Sequence, residues 1–500
     1  MELVDLLRQA LDRITSSGRV EVRENGSWLA TLDGFQYEVR PQNGAALLHL
    51  WSARQTQVSS VTRILRDEPD RVSLEVSRLG RPRPGKLEFL TTHRRPAANR
   101  IVREQFRCRL KDILSRRFPD ETVVSLSSAA DLEHSLSGSY VRGLMRYGPK
   151  SWALLAAAPS ENLSVIDGLL TFGLIWLDRA RQLSRETPAV HGLRLFFPEG
   201  TGRATTHRLA ALSPATAVEL YEYCPRTGRL RRTDPSDAGN VESWLAQRHV
   251  AEQMLTAAAP FLERLRRYAP GAIQPHLVPG TDYLEIRYRG LAFARWQPEA
   301  VFFGLGDRQQ LLSAGRETAF EKLLADLNTY RSPLAAGTSH ALYRAQPERW
   351  LESLVAAEPG RVDARLDPRF IYAQVPALSI GDRGVMDLVG ITRDGRLTVL
   401  ELKAQEDIHM PLQAVDYWLR VRWHHSREEF SRYGYFPGVT VDSRPPRLLL
   451  LAPSLRFHPA TDVVLRHLNP QIEIERIGVS EHWRRGVKVV LRQAASRPVS

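Results

Sequence analysis

The sequence predicts a multidomain α/β protein, and three observations carry that expectation. Short apolar runs of strand length, such as SWALLAAA (151–158) and RLLLLAPSL (447–455), alternate with stretches of helical patterning. Residues 19–90 read as β-rich, with strand-like FQYEVRP, ALLHLWS and RVSLEVSRLG and a hairpin signal at Asn25-Gly26. The chain has 500 residues, room for about two to four domains. Its 43% apolar and 25% charged residues exclude a wholly disordered, collagen-like or coiled-coil protein.

The elements follow in order. The opening MELVDLLRQALDRI reads as an amphipathic helix rather than a signal peptide. Residues 1–120 are expected to form a β-rich basic domain that ends in the helix AANRIVREQFRCRLKDILSRRF. Residues 121–335 form an α/β and helical middle region with no assigned role. There SWALLAAA, GLLTFGLIWL and GLRLFFP have buried-strand length, and 240–268 and 317–330 look helical. Residues 331–346 look like a linker.

The third domain, 345–500, is the clearest. PERWLESLVAA is a helix with Pro at its start. FIYAQVPAL, GVMDLVGI and RLTVLELKA are strands, PLQAVDYWLRVRWHHSREEF a long helix, and RLLLLAPSL a buried strand. A short helix, ATDVVLRHL, and the strands IEIERIGV and GVKVVLRQ complete it. The core order is helix, three strands, helix, strand.

Charge points to a partner class. Lys and Arg total 69 and Asp and Glu 56, a net +13 with pI near 10.0. That balance favours a polyanion, nucleic acid before membrane. From Arg78 to Arg117 there are 13 basic residues against three acids, Glu88, Glu104 and Asp112. Such a stretch suits salt-sensitive phosphate contact. Cys108 and Cys224 are too few for a disulfide framework or a zinc site, which fits a reducing, cytoplasmic setting. The longest apolar stretch, Val165 to Leu177, has 13 residues and contains Asp167, too short for a bilayer.

The chemistry concentrates in GVMDLVGITRDGRLTVLELK, Gly384 to Lys403. A three-residue loop Arg393-Asp394-Gly395, with Gly395 left-handed, sets the register. Ile391 then faces Leu397, Val389 faces Val399, Asp387 faces Glu401 and Val385 faces Lys403. Leu388 with Leu400 and Met386 with Leu402 occupy the other face. Both faces are apolar, as in a strand buried on both sides, except for the cluster Asp387, Glu401 and Lys403. Two buried carboxylates repel each other and lose hydration, and one lysine balances only one of them. A divalent cation balances the pair, and oxygen ligands suit Mg²⁺ or Mn²⁺. Lys403 is one of only six lysines in the chain, where arginine is the default cation.

Asp387, thirteen residues, then Glu401-x-Lys403 on a hairpin resembles the metal-binding core of the PD-(D/E)xK nuclease superfamily. The element order matches that family's restriction-endonuclease-like αβββαβ core. Glu352 lies in the preceding helix, where many members carry a metal-linked glutamate. Gln413-x-x-x-Tyr417 in the following helix resembles the QxxxY motif of the RecB-like branch. Arg420 and His424 continue that helical stripe as candidate phosphate contacts, and His409 follows the site strand. The resemblance covers roughly residues 345–495, and a NucS-like layout, a β-rich nucleic-acid-binding domain before such a core, is the nearest overall plan. Met386 stands where the family name has proline.

The resemblance implies Mg²⁺- or Mn²⁺-dependent hydrolysis of phosphodiester bonds, with DNA the expected substrate. Asp387, Glu401 and Glu352 would hold the metal, Lys403 would position water or stabilise charge, and Gln413 and Tyr417 would orient the site. The competing reading is a non-catalytic nucleic-acid-binding or scaffold protein that keeps the fold. Residues 164–198 also loosely echo the core's strand-helix-strand order. Aligning LTFGLIW with LTVLELK sets Leu174 against Glu401 and Trp176 against Lys403, a decayed copy unable to bind metal.

Overall fold

The computed structural model describes residues 3–495, apart from 17–19, 25–26, 33–35, 43–44, 52–55, 69–70, 78–84, 92–95, 132, 184–188, 235–242, 246–247, 278–280, 307–308 and 380–381. The chain is mixed helix and sheet with four multi-stranded sheets among the described residues. No helix among them is long and apolar enough to cross a membrane. The chain divides into two compact units, each assembled from two separated segments. One joins 1–99 with 251–353, the other 100–250 with 354–500. This partition differs from the sequential division at 1–120, 121–335 and 345–500. Composition marks segments along the chain, whereas compactness follows which distant segments share a core.

The first unit holds two antiparallel sheets. Seven strands between Val20 and Thr91 form the first, and the helix Leu3–Ser16 lies on it. Val4, Leu7, Leu11 and Ile14 form the helix's buried stripe and meet Val22, Leu48, Leu74 and Phe89. Asn25 and Gly26 lie outside the described residues, but the strands Val20–Glu24 and Ser27–Leu32 that flank them pair antiparallel. Much of the basic stretch 78–95 is likewise outside the described residues. Five strands between Ile273 and Leu311 form the second sheet, whose core includes helix residues Leu262, Leu265, Phe320, Leu324 and Leu327.

Residues 331–346 correct the linker expectation. Arg331 is fully buried and donates to the carbonyls of Tyr288, Arg289, Leu342 and Ala345 at 2.6–3.2 Å. Its guanidinium lies 4.8 Å from the centre of the Trp350 ring. One arginine straps the segment down, and a short helix, Ala341–Arg344, forms within it. Small and turn-forming residues concealed this, because a charged side chain supplies the cohesion that apolar periodicity normally signals.

The second unit contains two sheets of similar construction. The helix α1 (Pro96–Arg117) leads into strands β1 (Thr122–Ser127), β2 (Tyr140–Tyr147) and β3 (Lys150–Ala157). Helix α2 (Leu169–Leu183), strand β4 (Val190–Pro198), helix α3 (Arg203–Arg208) and strands β5 (Ala217–Tyr223) and β6 (Leu230–Arg232) follow. Later in the chain, helix α4 (Pro347–Ala357), whose residues up to Ser353 belong to the first unit, is followed by β7 (Leu366–Ser379), β8 (Asp382–Thr392) and β9 (Leu397–Leu402). Helix α5 (Met410–Ser426), β10 (Arg447–Pro453), helix α6 (Thr461–Arg466), β11 (Ile474–Val479) and β12 (Val489–Ala494) complete it.

In each sheet the first three strands are antiparallel, the third, fourth and fifth are parallel, and the sixth is antiparallel. The second sheet gains one short edge strand, Ser243–Trp244. One apolar core joins both sheets: Leu155, Leu174, Leu177 and Leu195 from the first meet Val399, Leu412, Val415 and Leu450 of the second.

The elements expected over 347–494 are all present. GLLTFGLIWL, expected as a strand, is instead most of helix α2. Leu169, Leu170, Leu174, Ile175, Trp176 and Leu177 are buried on several sides of that helix. A helix buried all round loses its amphipathic period and reads like a buried strand. Leu174 and Trp176 are therefore not the counterparts of Glu401 and Lys403.

The β8–β9 turn forms as the sequence requires. Gly395 adopts φ +85°, and its N–H donates to Thr392 O at 2.9 Å. A Cβ there would stand 2.2 Å from Thr440 O. Gly395→Ala should therefore destabilise the second unit by more than the roughly 1 kcal/mol of an ordinary left-handed penalty. Denaturant unfolding measures this, and an unchanged midpoint would count against the turn geometry.

Candidate active site

The β8–β9 ladder pairs Leu388 with Leu400, Val389 with Val399, Gly390 with Thr398 and Ile391 with Leu397. This is the register that places Asp387 and Glu401 opposite each other. The ladder ends there. The N–H of Leu402 donates to Asp387 Oδ2 at 3.0 Å rather than to a backbone carbonyl of β8. Beyond that point β8 stays with β7, through Ser379 and Asp382, while β9 stays with β10, through Leu402 and Leu451. The hairpin thus opens at its charged cluster. The side chains of Val385 and Met386 lie outside the described residues.

Glu401 is fully buried. Burial and then the neighbouring Asp387 carboxylate push its pKa well above the usual carboxylate range, against the pull of Lys403. Lys403 Nζ stands 2.9 Å from Glu401 Oε1 and 3.7 Å from Asp407 Oδ2. Neither oxygen of Glu401 accepts an aligned hydrogen bond among the described residues, and the buried Gln413 Oε1 accepts none either. Orphaned buried acceptors are costly unless a cation or ordered water meets them. A divalent cation fits this donor set: two carboxylates, with water completing an oxygen shell. No three His, Cys, Asp or Glu side chains gather around one point among the described residues, so the carboxylate pair is what a cation would meet first.

Helix α5 packs across β9 and β10 and brings Tyr417 to the cluster. Burial raises the pKa of the Tyr417 hydroxyl above its usual value, and the charges of Glu401 and Asp387 add to the effect. Gln413 lies one turn earlier on the same helix face. His424 does not serve as a phosphate contact: it is fully buried, with Nδ1 turned to Glu429. Burial lowers its basicity, against the hydrogen bond it donates to Glu429. Glu352, on α4, is buried and receives Arg349 Nη1 at 2.7 Å. It falls in the segment assigned to the first compact unit.

The site also draws on side chains from the first sheet's helices. His409, at the start of α5, has Nδ1 3.1 Å from Thr171 Oγ1 on α2 and its ring edge-on to Phe172. Burial lowers its basicity, opposed by Asp407, and Arg208 and Lys403 add to the lowering. Arg208, on α3, grips Asp416 with two hydrogen bonds at 2.9 and 2.7 Å, next to Tyr417. These contacts join residues 238 and 208 positions apart. A single sequence carries no local signal for them.

Comparison with family models, with characterised proteins and with solved structures gave no match for this chain.

Proposed function

We propose that the chain is a metal-dependent nuclease that hydrolyses phosphodiester bonds, DNA above all, in the manner of the PD-(D/E)xK enzymes its C-terminal segment resembles. One observation carries the reading: a fully buried glutamate with a second carboxylate beside it and one lysine 2.9 Å from its Oε1, where two strands of an apolar hairpin part. Two carboxylates in so dry a place carry more negative charge than one lysine balances, the excess a divalent cation would offset.

Asp387 and Glu401 would hold Mg²⁺ or Mn²⁺, without Glu352, which pairs with Arg349 in the other compact unit. When bound, such an ion lowers the pKa of water and steadies charge on a phosphoryl oxygen. Lys403, held between Glu401 and Asp407, orients the attacking water or meets the developing negative charge. Gln413 and Tyr417 fix the α5 side of the site, and Arg208 holds that helix through Asp416. The net charge of +13 gathers a polyanionic substrate from a distance.

The test is cleavage of plasmid, single-stranded DNA and RNA with Mg²⁺, Mn²⁺ or EDTA, comparing wild type with Lys403→Ala. Cutting should require metal and fall by about 10²–10³-fold in the variant, the usual loss of one charge-stabilising group. Salt-sensitive binding without cutting by the wild type would replace the enzyme with the binding-protein reading.

A further inference from the structure

The contacts that join the two sheets of the second unit repeat when the sheets are exchanged, the pattern an internal two-fold axis produces. Leu212 and Leu468 form an antiparallel bridge with each other. Around it, Ser213 N donates to His467 O and Asn469 N to Ala211 O, both at 2.8 Å. Each residue in this set has its own counterpart 256 positions away in the chain, Ser213 with Asn469, Ala211 with His467 and Leu212 with Leu468. Exchanging the two segments reproduces the same contacts, as in an isologous interface. The helices obey the same exchange: α2 packs on α6 and α5 on α3. Asp178 of α2 meets Arg466 of α6 at 3.3 Å, and Asp416 of α5 meets Arg208 of α3 at 2.7 Å. A sequence trace survives at the same spacing, Ala204-Thr205, Leu209, Leu212 and Pro214 matching Ala460-Thr461, Leu465, Leu468 and Pro470.

Strand pairing fixes the correspondence at the site. Pro198 pairs with Tyr223 and Pro453 with Val479, again with 223 and 479 at that spacing. Two residues before each proline, Phe196 is the neighbour of Ala156 and Leu451 of Leu402. Ala156 therefore stands for Leu402, Leu155 for Glu401 and Ala157 for Lys403. Across the first hairpin Leu155 pairs with Arg142, the counterpart of Asp387. The corresponding place in the first copy is closed. Leu155 and Ala157 are buried in the shared core, Arg142 lies 5.7 Å from the centre of the Trp176 ring, and Trp176 Nε1 donates to Gly143 O at 3.0 Å. Arg142, Leu155 and Ala157 offer no carboxylate at the positions of Asp387, Glu401 and Lys403.

We infer that the chain is a built-in dimer with one live and one extinguished centre, and that it nicks one strand of duplex DNA per encounter. The inference rests on the nuclease reading above. Severing both strands at one encounter takes a centre for each strand, and the exchange that would supply the second delivers Arg142, Leu155 and Ala157. The first copy instead supports the live centre through Thr171 and Arg208.

The experiment follows supercoiled plasmid with the full chain in excess and Mg²⁺ or Mn²⁺ present. Open circles should accumulate until supercoiled substrate is nearly gone, with linear DNA arising later from unrelated second nicks. A folded Arg142→Gln variant should nick at the wild-type rate, while Asp387→Asn should not nick. Linear DNA appearing in step with the loss of supercoils would overturn the inference and leave the nuclease reading intact. Cutting of single strands with duplex untouched would do the same, as would loss of nicking in folded Arg142→Gln. Absence of scission on every substrate would remove the nuclease reading and this inference together.

Discussion

Glu401→Gln is expected to fold at least as stably as the wild type and to lose cleavage by at least about 10²–10³-fold. The amide keeps the shape of the carboxylate but carries no charge, so the fully buried position no longer opposes Asp387. Burial, followed by Asp387, raises the Glu401 pKa in the folded state above its unfolded value. A raised carboxyl opposes folding above its unfolded value of roughly 4.3, and the penalty grows until the pH passes the folded value. Each unit of that difference is worth about 1.4 kcal/mol. Without added metal, the melting temperature of the variant at pH 7 should therefore exceed that of the wild type. The gap should close as the pH falls towards 4. Mg²⁺ or Mn²⁺ should raise the melting temperature of the wild type and leave the variant unmoved, since binding to the folded state alone stabilises it. A variant that melts below the metal-free wild type at pH 7, or that still cuts, would show that Glu401 is an ordinary structural acid.

Arg447→Met is expected to weaken the second unit by about 3–5 kcal/mol. Arg447 is nearly inaccessible to solvent and binds three acids: Asp363 at 2.8 Å, Glu475 at 2.5 Å and Glu473 at 3.1 Å. Burial tends to raise Asp363, but hydrogen bonds from Arg365 and Arg447 win and hold it at about 2. A depressed carboxyl contributes stability above its unfolded value, and that stability is lost as the pH falls through the folded value. The wild type should thus shed this contribution between about pH 4 and pH 2. Part of that acid sensitivity should be missing in the variant, because Asp363 keeps only Arg365. Arg365, Arg396 and Arg492 still neutralise the acids, which argues for the lower end of the range. Urea unfolding at pH 7 and pH 3 measures both effects, and a change below about 1 kcal/mol at pH 7 would contradict the burial argument.

The legible part of the chain was the part with a strict period. In β8 and β9 the side chains alternate every residue, so a loop ending in Gly395 leaves one register in which the charges gather. That register is present, and with it the adjacency of Asp387, Glu401 and Lys403. Helix α5 was equally legible, because Gln413 and Tyr417 mark one face. Three features escaped. Helix α2 is apolar on too many sides to show a helical period. Arg331 binds the 331–346 segment through backbone carbonyls, which have no sequence signature. The internal symmetry showed only as a faint echo, and matching LTFGLIW to LTVLELK compared a helix with a strand. The true correspondence lay in hydrogen-bond registers and in a few scattered identities around Leu212 and Leu468.

The shared core also sets an order of events during synthesis. Leu174, Leu177 and Leu195 leave the ribosome long before Leu412, Val415 and Leu450, which cover them in the finished protein. Leu212 waits for Leu468 across 256 residues, about 13–50 s at usual elongation rates. During that interval the nascent first copy presents an oily flank with no cover, the state in which chains stick to one another or to chaperones. The residues between the two copies, 251–353, belong to the other compact unit, so a second folding event occupies the wait.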